Sequence, residues 1–128
     1  MNIEINGTTY ELRLGFRFSK ALDKVYKMEQ DVGGGQKVEI GMGVTLLYSY
    51  LSMGNFEAVV NFYTAGLLHH KKRPTEDEII EAVENIAAEK GITEVAEECI
   101  EGLRESGFYK QLLTQIEEEA EGTKSKKK

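Results

Sequence analysis

Adjacent His69 and His70, the lone Cys99 and the paired Glu97-Glu98 are residue types that can bind a metal, attack a substrate or move a proton. None has the spacing its chemistry needs. On a helix, sequence neighbours point about 100° apart, so the two histidines cannot share one metal as an i, i+4 pair does. Cys99 shares a helical stripe with Val95 and Ile100, where a thiol packs rather than reacts. Glu97-Glu98 is one pair among many acids on solvated helix faces and singles out no acid–base site. Gly33-Gly34-Gly35 lacks the Lys-Ser/Thr of a phosphate loop, and Gly41-Met42-Gly43 lacks the third glycine and the preceding strand of a dinucleotide fingerprint. The expectation is a protein that is not an enzyme, with no catalytic, cofactor-binding or metal-binding residues.

Composition narrows the class further. The 128 residues are 41% hydrophobic and 30% charged, as in an ordinary globular protein large enough for one core. No run reaches the eighteen or so apolar residues of a membrane span, and Met1 to Glu4 lacks the basic flank of a secretory signal. With one cysteine and no intrachain disulfide possible, a reducing cytoplasm is expected. The net charge of −6 is unevenly spread: residues 1–74 are nearly neutral, residues 75–121 strongly acidic, and residues 122–128 carry four lysines and no acid. Acidic helix faces oppose nucleic-acid phosphates and favour basic partners, though solvated surface alone accounts for them.

The elements begin with Asn6-Gly7 between alternating runs, the signature of a type I′ hairpin. Pairing outward sets Ile5 against Thr8 and Ile3 against Tyr10, so Ile3, Ile5, Tyr10, Leu12 and Leu14 share the core face. A helix follows with Phe18, Ala21, Leu22, Val25 and Tyr26 on its apolar side. Three consecutive glycines then cost too much backbone entropy for a regular element, which predicts a flexible loop over 31–36. Short helices are expected over 43–53 and 56–69, the second capped by Asn55 and apolar nearly all round. Thr75-Glu76-Asp77-Glu78 has the form of a capping box and starts a helix that Gly91 stops. Thr93 is placed to cap the next helix, which Gly107 ends, and a last helix carries Phe108, Tyr109, Leu112, Leu113 and Ile116. The fold expected is α+β, mainly α: an N-terminal β-hairpin packed on about five or six helices. One domain over 1–121 and a disordered basic tail over 122–128 complete it.

The stretch Ile3-Glu4-Ile5-Asn6-Gly7-Thr8-Thr9-Tyr10-Glu11-Leu12-Arg13-Leu14-Gly15-Phe16-Arg17-Phe18, continued by Ala21-Leu22-Asp23-Lys24-Val25-Tyr26, resembles the tail assembly chaperones of long-tailed bacteriophages and related prophages. The likeness is to the siphophage type of Gram-positive hosts. It runs through Gly41-Met42-Gly43, the apolar middle helices and Lys72-Arg73-Pro74-Thr75 to about residue 115. The resemblance implies a nonvirion protein of the host bacterial cytoplasm that binds the tape measure protein, keeps it soluble and helps tail-tube subunits polymerise around it. In many such phages a ribosomal frameshift also yields a longer form whose added part recruits the tail-tube protein. Lys126-Lys127-Lys128 fits A-rich slippery codons, and it equally fits a solvated basic tail.

A holdase must present apolar surface while staying soluble, and amphipathic helices rimmed by acids do both. The candidate partner-binding residues are Phe62, Leu67 and Leu68 on helix 56–68, and Phe108, Leu112, Leu113 and Ile116 at the last helix. Taken singly, each of these side chains is expected to fill the domain's own core, since a domain this small needs most of its large apolar side chains inside, and the two helices could serve self-association instead. Rival readings are a structural virion component, such as a minor tail or head–tail connector protein, and a nucleic-acid binder using Lys71-Lys72-Arg73 and residues 124–128. The remaining charge opposes the second.

Overall fold

The N-terminal hairpin forms as its sequence dictates. In the computed structural model, which describes residues 1–33 and 36–126 and the side chains of 1–27 and 42–119, β1 (Asn2–Ile5) and β2 (Thr8–Glu11) pair antiparallel. Asn6 and Gly7 take φ of 52° and 79°, as a type I′ turn requires, and the register sets Ile5 opposite Thr8 and Ile3 opposite Tyr10. Ile3, Ile5 and Leu12 are buried, with Tyr10 and Leu14 packed beside them.

Six helices follow among the described residues: α1 (Phe16–Val25), α2 (Gly43–Ser52), α3 (Phe56–Gly66), α4 (Glu76–Lys90), α5 (Ile92–Glu105) and α6 (Lys110–Lys126). The fold is mainly helical α+β, as expected. The apolar α3 lies at the centre, against α1, α2, α4 and α5, which is where a helix without a polar face belongs. Phe18, Leu22, Leu47, Leu51, Val59, Phe62, Val83, Val95 and Leu103 form the middle of the core. Two glycines set the layer spacing. A Cβ on Gly66 would fall 2.9 Å from Leu12 Cδ2, so the hairpin lies flush on α3 and the Arg13 amide reaches the Gly66 carbonyl at 3.0 Å. A Cβ on Gly43 would fall 2.5 Å from Asp23 Oδ1 and 2.8 Å from Asp23 N, while that carboxylate accepts the Gly43 amide at 2.9 Å. Asp23 on α1 thus caps α2 across the helix pair.

The local signals hold at two helix starts. Asn55 Oδ1 accepts from the Ala58 amide at 2.8 Å. The Thr75–Glu78 box closes in both directions, at 3.2 and 3.0 Å. Thr93 does not cap α5: that helix opens one residue earlier, at Ile92, with Gly91 in the flanking position at φ 89° and no side-chain cap. Val25 stands outside the core, 53% exposed, because α1 ends there and the chain turns away at Tyr26.

The predicted loop over 31–36 is a further correction. Strands β3 (Lys27–Gly33) and β4 (Gln36–Gly41) form an antiparallel hairpin with a register shift between Asp31 and Gly33. Gly34 and Gly35 lie outside the described residues. A strand therefore precedes Gly41-Met42-Gly43 after all, but it belongs to an antiparallel ladder, without the parallel βαβ crossover of a dinucleotide fold. At the other end, the backbone of α6 runs on through Lys126, into the stretch expected as a tail, and residues 127 and 128 lie outside the description.

Candidate functional site

The groups with possible chemistry are committed to structure. His70 Nε2 lies 2.7 Å from the Glu11 carbonyl and its ring meets Tyr10 edge-on, while the His69 and His70 rings sit 4.0 Å apart. Burial, then the neighbouring His70 and Arg13, hold the His69 pKa below its ordinary value. Cys99 is fully buried between α3 and α5, and burial pushes its thiol up to about 12, with Tyr63 as hydrogen-bond partner. The Tyr63 phenol is itself pushed far up by burial. Such a thiol stays protonated and unreactive at neutral pH. Glu98 pairs with Lys90 at 2.9 Å. Among the described residues no three His, Cys, Asp or Glu side chains are grouped to hold a metal ion.

The seven apolar candidates separate sharply. Phe62, Leu67 and Leu113 are buried and offer nothing to a partner in this conformation. Leu68, Leu112 and Ile116 are half-buried, and Phe108 is 60% exposed. Helical spacing had placed Phe108 on the last helix, but Gly107 at φ 75° turns the chain first and α6 opens only at Lys110.

That turn forms a seam with the start of α1. Tyr109 is buried, its hydroxyl donates to the Gly15 carbonyl at 2.7 Å, and its ring packs 5.8 Å from Phe18. The residues following the chain on either side of this bond point outward: Phe16 is 73% exposed, and Phe108 leans edge-on against Tyr109 at 4.9 Å. Phe16 escaped notice because Phe18, two residues on, owns the apolar stripe of α1 and a lone exposed aromatic has no periodic signal. A second depression is lined by Val25, Tyr26, Tyr50, Asn55 and Glu57, where the ends of α1 and α2 meet the start of α3, and Val25 and Tyr50 are exposed there. Tyr26 stacks on Tyr50 there and receives the Asn61 amide at 3.0 Å.

Beside Phe16 lie Arg13, Arg17 and His69, and acidic charge gathers elsewhere. A cleft between β1 and helices α4 and α5 has Ile3, Tyr63 and Ile86 in its wall and Glu4, Glu89, Glu101 and Glu105 around it. Arg104 on α5 holds Glu117 on α6 at 2.8 Å, and that carboxylate raises the pKa of the guanidinium. The described helices include none long and apolar enough to cross a membrane.

Over residues 2–118 the chain matches the family described as phage tail assembly chaperone protein, TAC, and it belongs to that family. No curated protein and no solved structure matches it.

Proposed function

We propose that this chain binds the phage tape measure protein, keeps its hydrophobic segments soluble, and promotes tail-tube polymerisation around it. It acts without catalysis in the host cytoplasm and stays out of the mature virion. The observation that carries this reading is the family match over nearly the whole domain. The exposed aromatics Phe16 and Phe108, which flank the Gly15–Tyr109 hydrogen bond, support it as apolar side chains that the chain's own core leaves uncovered. Acidic residues around the domain keep such a surface soluble. A longer form made by frameshifting near the lysine codons of residues 126–128 would bring in the tail-tube protein.

Co-expression with the tape measure protein of the same gene neighbourhood tests the proposal. A client that is soluble and copurifies only when this chain is present supports it. A client insoluble in both conditions, together with recovery of the chain from purified virions, would replace it with a structural role. The nucleotide sequence tests the longer form: a slip-prone heptamer opening into a long overlapping frame is expected, and interrupted lysine codons without that frame would exclude it.

A further inference from the structure

Two arginines are engaged by the fold and two are not. Arg73 donates to the Leu68 carbonyl at 2.9 Å, and Arg104 holds Glu117 at 2.8 Å and Glu101 at 3.4 Å. Among the described residues the guanidinium groups of Arg13 and Arg17 have no hydrogen bond or ion pair, and both line one depression of about 310 Å3. Gly15, Phe16, Ala65 and His69 complete its lining. Arg13, Phe16 and Arg17 are all exposed. The Arg13 charge reaches His69: with burial and His70, it holds the His69 pKa below its ordinary value. Glu11 acts on His69 in the opposite sense but is not part of the lining, and the first turn of α1, which carries Arg17, contains no acid. In a chain of net charge −6, this depression is a local cationic site with an aromatic wall.

A guanidinium presents a planar fork of donors that matches a carboxylate or a phosphate. The acidic excess of residues 75–121 repels the repeating charge of a polyphosphate backbone, whereas one carboxylate within an apolar segment meets little of that opposition. Arg beside an exposed aromatic is also the composition of a protein-binding surface. We propose that this depression seats an acidic–apolar segment of the tape measure client: Arg13 and Arg17 take the carboxylate of an Asp or Glu side chain, and Phe16 packs on the apolar residue beside it. The inference rests on the chaperone reading and adds to it the chemistry of the segment that is bound.

Competition for a limiting client tests it. Wild-type chain and Arg13→Gln/Arg17→Gln are co-expressed at equal levels with tagged tape measure protein, and the two chains that copurify are counted by mass. The wild type should outnumber the variant about tenfold, and added salt should narrow the ratio. Lys71→Gln/Lys72→Gln removes as much exposed charge elsewhere and should share the client equally with the wild type. Both variants should keep the wild-type helical circular dichroism. Equal shares for the arginine variant, or an equal loss in the lysine variant, would overturn the site and leave the chaperone reading standing. A client that captures no wild-type chain would overturn both. A wild type that sediments as a dimer while the arginine variant is monomeric would give the depression to acids of a second copy and overturn the proposal.

Discussion

The two hairpins are the same motif with opposite fates. β1–β2 lies flush on α3 through Gly66 and buries Ile3, Ile5 and Leu12, whereas β3–β4 pairs with no further strand among the described residues and meets α1 through β4, with the Met42 amide donating to the Tyr26 carbonyl at 2.8 Å. What separates them is the third layer. A hairpin face that meets helices becomes core, and one that does not must find stability elsewhere or open readily. The first hairpin is part of the core, and the second is expected to add less to the fold's stability.

Truncation in the first hairpin gives the largest predicted effect. Ile5→Ala removes a buried side chain from the core and should cost about 2–5 kcal/mol in urea unfolding. Replacing residues 29–39 by a short turn should cost less than about 1 kcal/mol, the scale on which loop length alters stability. Equal losses would erase the distinction between the two hairpins. Next comes the turn: Gly7→Ala forces a Cβ into φ 79° and should cost about 1–2 kcal/mol, with no loss of client binding. The capping box calibrates the scale, since Thr75→Ala should lower stability by about 1 kcal/mol without touching either hairpin. Hydrogen exchange sharpens the comparison without any substitution: β1–β2 amides should exchange with the helical core, and β3–β4 amides much earlier.

The buried thiol adds a pH effect that belongs to the core and not to the second hairpin. Cys99 titrates near 9.0 unfolded and near 12 folded, so the folded state holds its proton longer. The stabilisation is fully present below pH 9 and is lost as pH rises from 9 toward 12. Cys99→Ala should flatten that part of the alkaline stability profile, and excision of the second hairpin should leave it unchanged.

Legibility followed the same division. Asn6-Gly7 and the strict alternation around it determine register, turn and buried face, because each local preference agrees with the packing. Thr75–Glu78 is equally direct. The second hairpin was hidden by its glycines, whose entropy cost was charged to the whole 31–36 stretch although the strands flank them; Val38 and Ile40 alternating with Lys37 and Glu39 were the usable signal. For the contact surface, periodicity names apolar positions but not which of them a third layer covers. Phe62 lies at the centre of four helices and Phe108 at a glycine-broken turn, a difference of topology that no helical spacing encodes.

The most direct test of the account is to repeat the tape measure co-expression with Phe16→Ser/Phe108→Ser. Both side chains lie outside the core, so the variant should fold and melt as the wild type does, yet leave the client insoluble. A folded variant that still rescues the client as fully as the wild type would contradict the claim that this exposed seam captures it.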